Sequence, residues 1–243
     1  RSTILVAALA LSAGAQGAIE LSSATFGALS ARSIGPAVMS GRISALDGVV
    51  NADGPITLYI GTASGGVWKS DDGGIVYTPI FDDHMQSIGA VRVDPSNPET
   101  VWVGTGESWV RNTVSPGDGV YRSTDGGEKW QHLGLEDSDH IAELLVHPDD
   151  SNTVYVCALG HLWAPGGDRG VFRTTDGGET WENVLNIDDA TSCADLAMTP
   201  DAGVLYAGMW QVRRYPDIFE SGGETSGLYR STDGGDAWEA LTE

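Results

Sequence analysis

The sequence predicts an all-β protein, a β-propeller in which four four-stranded antiparallel blades are present as part of a larger propeller. Three observations predict it. An eight-residue motif occurs four times, as SDDGGIVY (Ser70–Tyr77), STDGGEKW (Ser123–Trp130), TTDGGETW (Thr174–Trp181) and STDGGDAW (Ser231–Trp238). Its spacing of roughly fifty residues is that of repeat architectures, whose units each leave an apolar face for a neighbour to cover. The same short apolar, β-branched and aromatic runs recur between motifs, bounded by Gly, Pro, Asp and Asn, as strands separated by tight turns require. The composition, with 33 glycines and 8 tryptophans but little lysine, suits many such turns.

The elements follow in order. Unit one opens near Ser40 with SGRISAL and continues through TLYIGT and GVWKS. Unit two has SIGAVRVDP from Ser87, then TVWVGTG from Thr100, GVYRS from Gly119 and WQHLGL from Trp130. Unit three runs from Ile141 through TVYVCAL and GVFRT to WENVL. Unit four runs from Cys193 through VLYAGMW and GLYRS to WEAL. Four strands per unit is the pattern of a propeller blade, with blades at about 34–83, 84–136, 137–189 and 190–243.

Ahead of these lie Arg1, an apolar run from Ile4 to Leu11, and small residues as far as Ala18. This is the layout of a secretory signal peptide, partial over 1–18, followed by a linker over 19–33. The expected location is secreted or periplasmic. No run is long and apolar enough for a membrane span. An opening on Arg1 in place of methionine reads as a fragment.

With 34 acidic and 13 basic residues and a net charge of -21, the chain repels phosphate backbones, which excludes nucleic acid as a partner. Cys157 and Cys193 sit in apolar strand-like runs and are expected as buried free thiols, a bridge being the alternative in an oxidising compartment. The histidines at 84, 132, 140, 147 and 161 lack metal-ligand spacing, so neither metal nor cofactor is expected.

The repeated motif looks catalytic, but its fourfold recurrence between strands three and four assigns it to a hairpin turn. Its glycines supply positive φ, and its hydroxyl and carboxylate bond the turn's own backbone. The structural positions are Ser70, Asp72 and Gly74; Ser123, Asp125, Gly127 and Trp130; Thr174, Asp176, Gly178 and Trp181; and Ser231, Asp233, Gly235 and Trp238. These residues resemble the Asp-box, or BNR, repeat S-x-D-x-G-x-x-W, with Thr174 and Tyr77 as departures. The wider wording, including IGPAVMSGRI, GTASGGVWKS, NPETVWVGTGE and ALGHLW, looks like the sortilin-type N-terminal propeller region of large secreted bacterial proteins often called glycosyl hydrolases. The likeness covers about Ser33 to Glu243.

Antiparallel strands place the loops between strands two and three on the face opposite the motif. Those loops differ in length and carry Trp109, Arg111, Asn112, His161, Trp163, Trp210, Arg213, Arg214 and Tyr215. Aromatic rings with arginine suit a peptide, protein or glycan ligand. A noncatalytic binding propeller is therefore expected. A glycoside hydrolase is the alternative, with Glu107, Asp118 and Glu220 as carboxylates on this face. Comparison with sialidases and xyloglucanases weakens it, since SGRIS around Arg42 lacks the aromatic and proline of F-R-I-P. Likewise TASGG has Ala63 where xyloglucanase-like propellers carry a catalytic aspartate. An assembly or scaffold role, as in propellers related to photosystem stability factors, is a third reading.

Overall fold

The computed structural model describes residues 42–51 and 54–241. The expected signal peptide and linker lie outside the described residues, as does Ser40, where unit one was expected to open.

Each unit folds as one antiparallel sheet whose strands are ordered from the inside outwards. Blade 1 contains β1 (Ile43–Val49), β2 (Thr57–Thr62), β3 (Val67–Ser70) and β4 (Thr78–Pro79). Blade 2 contains β5 (Ile88–Val93), β6 (Val101–Thr105), β7 (Val120–Ser123) and β8 (Gln131–His132). Blade 3 contains β9 (Ile141–His147), β10 (Asp150–Ala158), β11 (Gly170–Thr174) and β12 (Glu182–Leu185). Blade 4 contains β13 (Thr191–Met198), β14 (Leu205–Arg214), β16 (Gly227–Ser231) and β17 (Glu239–Ala240), with an added strand β15 (Phe219–Ser221) on β14. The segment after Met209, expected as a loop, is a strand-paired hairpin in which Arg213 faces Glu220 and Arg214 faces Phe219.

Period-two alternation makes the inner blades apolar on both faces. On β6, Val101 and Val103 pack towards blade 1, while Trp102 packs towards blade 3. On β10, Val154, Val156 and Ala158 face blade 2, while Tyr155 and Cys157 face blade 4. Among the described residues the core is thus three layers, one between each pair of successive blades. A closed ring of four would have a fourth layer. The ends of the array are uncovered instead: Leu46 is 59% exposed where its counterparts Val91, Leu144 and Leu196 are at most 3%. At the other end, Leu228 is 42% exposed where Val67, Val120 and Val171 are at 0%. The four blades are an arc of a larger propeller.

One contact recurs where an inner strand begins. Gly61 of blade 1 and Gly104 of blade 2 lie at the same register position, and a Cβ built there would stand 2.6 Å from Ile88 Cγ2 and 2.4 Å from Ile141 Cγ2, respectively. Glycine is required because the next blade's isoleucine seats against the bare backbone. At the third joint the pair is exchanged. Cys157 replaces the glycine, Cys193 replaces the isoleucine, and the two form a disulfide between blades 3 and 4. The expected free thiols are thereby corrected, for the two positions that face each other at every joint are here both cysteine.

The four motif turns share one hydrogen-bond pattern. The hydroxyls of Ser70, Ser123, Thr174 and Ser231 donate to Asp72, Asp125, Asp176 and Asp233 at 2.7–2.8 Å. They accept from the N–H groups of Gly74, Gly127, Gly178 and Gly235 at 2.8–2.9 Å. Each carboxylate also accepts the N–H four residues on, from Val76, Lys129, Thr180 or Ala237, at 2.9 Å. These bonds to the ionised form hold all four carboxyls below the usual range. The main cause is the backbone N–H for Asp72, Asp125 and Asp233, and the Thr174 hydroxyl for Asp176. Both glycines of every turn have positive φ, 67–77° at the first and 93–98° at the second.

The turns also join blades. Trp130 Nε1 donates to the Ile80 carbonyl of blade 1, and Trp181 Nε1 to the Leu133 carbonyl of blade 2, both at 2.7 Å. Trp238 departs from this, donating to its own Gly235 at 3.1 Å.

Two outcomes are expected. Ser123→Ala leaves the buried Gly127 N–H without its acceptor and lowers unfolding free energy by about 1–3 kcal/mol in urea titration, whereas Ser123→Thr, the residue used at 174, changes it little. Replacing Cys157 and Cys193 with serines costs about 3–4 kcal/mol for a loop of this length. The double substitution Cys157→Gly with Cys193→Ile, which installs the pair used at the other joints, recovers the packing share of that loss in the same titration.

Candidate functional site

The loop face is built where inner strands begin and second strands end. In blade 2 the loop after β6 is anchored by Ser87, whose hydroxyl accepts the Glu107 N–H at 3.0 Å and donates to the Ser115 carbonyl at 2.8 Å. The Glu107 side chain is buried and ion-paired with two guanidinium groups, those of Arg42 and Arg111, the latter at 2.6 Å. Arg42 also lies over the Trp109 ring at 5.6 Å. Trp109 is 66% exposed, and Asn112 on the same loop faces solvent. An exposed indole with a cation fixed on one face is a stacking platform.

In blade 3 the loop after β10 folds onto the connection that precedes β9. Asp168 N–H donates to the Asp137 carbonyl at 3.0 Å, and His161 Nε2 meets Asp137 Oδ1 at 2.9 Å. Arg169, buried at the loop's end, donates to the carbonyls of His161 and Ala190 and to Ser192 Oγ. These bonds hold Trp163 outward, 47% exposed. The blade 4 hairpin docks beside it, with Arg214 N–H donating to the Leu162 carbonyl at 2.8 Å. Arg213 lies over the Tyr215 ring at 4.9 Å and Arg214 over Phe219 at 5.3 Å.

The expected residues therefore divide into a blade 2 cluster of Trp109, Arg111 and Asn112 and a blade 3–4 cluster of His161, Trp163, Arg213, Arg214 and Tyr215. Trp210 differs in role. It packs edge-on against Phe219, with centroids 5.9 Å apart, and so holds the hairpin together. Trp210, Arg213 and Arg214 stand on β14 and not on a loop. Arg169 escapes sequence reasoning, and Arg42 enters it only as the counterpart of the F-R-I-P arginine. Arg42 precedes an inner strand, outside every loop between strands two and three, and Arg169 is a cation buried by carbonyls that no spacing signals.

The three candidate carboxylates do not form a free pair. Glu107 is bound by its two arginines. Asp118 accepts from Thr105 Oγ1 at 3.2 Å and from the Tyr121 hydroxyl at 2.8 Å. Burial, with this bond adding to it, pushes the Tyr121 phenol up. Glu220 is exposed on the blade 4 hairpin, away from the blade 2 pair in the chain. Ala63 is buried, its N–H bonded to the Arg42 carbonyl at 3.0 Å, and it brings no carboxylate. No cluster of metal-ligating side chains occurs among the described residues. A cavity of about 740 Å³ lies away from this face, between the end of blade 1 and the Gly127–Trp130 turn.

Titratable groups gather on the connection into blade 3. Burial raises the carboxyls of Asp139 and Asp168, and it pushes the imidazole of His140 down to about 4, with His161 adding to the effect. Asp139 holds a φ of 51°, uncommon outside glycine.

The fold and this face define the class: a β-propeller with motif turns on one side and an aromatic, arginine-bearing loop surface on the other. A family model described as sortilin, neurotensin receptor 3 (Sortilin-Vps10) matches residues 118–243, just over half of the chain, and the chain belongs to that family. It is similar to the xyloglucanase Xgh74A of Acetivibrio thermocellus, 26% identical over 216 residues that cover 76% of this chain and 24% of the relative. A xyloglucanase of Paenibacillus sp is 25% identical over 214 residues, covering 76% and 20%. The chain thus spans about a quarter or less of these relatives' length. Among solved structures, an ancestral GH74 enzyme superposes with a TM-score of 0.62 at 20% identity, covering 84% of this chain and 26% of that one. The GH74 enzyme of Niastella koreensis gives 0.58 at 19% identity, covering 82% and 30%. These superpositions establish the shared fold.

A pH dependence follows from His140. Its folded value lies below the unfolded value near 6.5, so its contribution is complete above pH 6.5 and is lost as pH falls towards 4, about 3 kcal/mol in all. Asp139 and Asp168 act with the opposite sign, so a comparison with His140→Phe isolates the histidine. The variant is expected to flatten the fall in calorimetric melting temperature between pH 7 and pH 4.

Proposed function

We propose that these blades are the glycan-binding portion of an exported propeller protein, recognising a polysaccharide on the loop face without assembling a catalytic carboxylate pair of their own. The observation that carries this reading is the outward exposure of Trp109 and Trp163 on loops of adjacent blades, with the Arg42 guanidinium set over the Trp109 ring. Flat exposed rings held by a rigid scaffold match the faces of sugar rings, and arginine forks supply hydrogen bonds to hydroxyls. The names of the similar enzymes make xyloglucan the first ligand to test, ahead of a peptide or protein. Export is supported by the disulfide, a bond that persists in oxidising compartments. No described helix is long and apolar enough to cross a membrane.

The hydrolase reading is favoured by those same names. It needs two carboxylates flanking one bond, roughly 5–10 Å apart. Glu220 is the one candidate without a bonded partner described here, and its companion would come from elsewhere in the protein.

Calorimetric titration of the natural full-length protein with xyloglucan oligosaccharides separates the readings. Trp109→Ala and Trp163→Ala are each expected to weaken binding by about 5- to 30-fold, as truncation of an interface anchor does. Unchanged affinity in both variants would sink the loop-face assignment. Release of reducing ends that disappears in Glu220→Gln would establish the hydrolase in its place.

A further inference from the structure

The joint between blades 1 and 2 is filled differently from the joint between blades 2 and 3, although the segments that follow β4 and β8 match residue by residue. Ile80 and Leu133 donate their N–H groups to the Val67 and Val120 carbonyls, and their own carbonyls receive Trp130 and Trp181 of the next blade. Further on, the Gln86 and Asp139 carbonyls accept the N–H groups of Gly66 and Gly117. By this match Phe81 stands at the place of Gly134, and Asp82 at the place of Leu135. Leu135 is buried in the core layer on which Trp181 packs. In blade 1 the apolar side chain comes one position early. Phe81 turns inward, 1% exposed and edge-on to both Tyr121 and Trp130 at centroid distances of 5.1 Å, while Asp82 is left in solvent. No leucine covers the turn side of this joint, and the cavity of about 740 Å³ opens there.

The cavity has a fixed floor and polar lips. The turn from Phe81 to His84 closes through the His84 N–H and the Phe81 carbonyl at 3.2 Å, and Gln86 Nε2 donates to the carbonyls of Phe81 at 2.9 Å and His84 at 2.8 Å. The His84 ring rests on Phe81 and Tyr121, with centroids 4.7 Å and 5.0 Å away. Asp82 and Asp83 at the tip of this turn form one lip, and Glu128 and Lys129 of the blade 2 motif turn form the other. Ile80 and the half-buried Trp130 lie between them. None of these four charged side chains makes an ion pair or a hydrogen bond among the described residues. The corresponding acid in blade 4 is committed, for Asp236, at the position of Glu128, accepts from Arg173 at 2.6 Å.

We propose that this cavity is a second saccharide site, separate from the loop face, which takes a short stretch of a neutral polysaccharide. Its volume lies within the range of about 300–1,000 Å³ usual for small-molecule sites. An apolar floor edged by an indole suits the C–H face of a sugar ring. Carboxylates on both lips accept from its hydroxyls and the Lys129 ammonium donates to them, groups that are all unspent within the protein. A basic peptide is the poorer occupant, because Lys129 stands among the acids that would draw it. The site goes beyond the loop-face reading, since it holds a chain at a second point on the other side of the propeller.

The test uses the natural full-length protein carrying Trp109→Ala and Trp163→Ala, which silences the loop face, titrated calorimetrically with xyloglucan oligosaccharides, cellotetraose and tetralysine. Asp82→Leu installs the residue found at the second joint and closes the cavity over Trp130. It is expected to weaken one of the remaining saccharide-binding events by about 10-fold or more, through loss of a charged acceptor and of the space it faces. The melting temperature is expected to stay at or above that of the parent, as the leucine covers apolar surface. Glu128→Gln keeps the shape of the other lip and is expected to weaken the same event by a smaller factor, which gives a second reading should the leucine variant fail to fold. Saccharide binding that neither substitution alters overturns the proposal, as does its absence from the parent. Tetralysine bound in place of saccharide, and lost in Asp82→Leu, overturns it in favour of a basic peptide. Failure of the loop-face reading shows separately, as unchanged affinity when the two tryptophans are first replaced.

Discussion

Each sheet here is covered by the next, and the rest of the molecule depends on that covering. A strand such as β10 alternates Val154, Val156 and Ala158 on one face with Tyr155 and Cys157 on the other, and both sets are buried only because blades stand on both sides. The distance between sheets is set at the seat where Gly61 admits Ile88 and Gly104 admits Ile141. From that closeness follows the reach of Trp130 and Trp181 to the preceding blade's carbonyls. It also fixes the loop face, where Arg169 at the end of the blade 3 loop reaches the Ala190 carbonyl on the connection into blade 4.

Much of this was legible in the residues because it is local and repeated. The turn chemistry of Ser123, Asp125 and Gly127 needs only a few consecutive residues, so its bonds could be named before the fold was known. Strand order followed from the repeat. The disulfide was hidden for a different reason. Neither cysteine has an informative neighbour in sequence, and only registering all the blades shows that 157 and 193 are facing positions. The blade 4 hairpin was hidden because its turn, from Tyr215 to Ile218, lacks a short glycine signal and its strands follow no apolar alternation.

The site was legible as a set of residue types and less so as an arrangement. Trp109 and Trp163 project as loop aromatics should, while Trp210 is spent on Phe219. Arg111 and Glu107 illustrate why composition misleads: each could serve a ligand alone, yet they satisfy one another and Arg42. A charge that looks available in a sequence is often committed once burial demands a partner.

The cross-link between β10 and β13 also gives the array a direction. In a row of units held by nearest-neighbour packing, melting proceeds from whichever end has the weaker last joint. Blades 3 and 4 share a covalent tie and blades 1 and 2 do not. Within the described arc blade 1 is held by packing alone, whereas blade 4 stays tethered to blade 3 at Cys157 and Cys193, so loss of a terminal blade is easier at the first end than at the last.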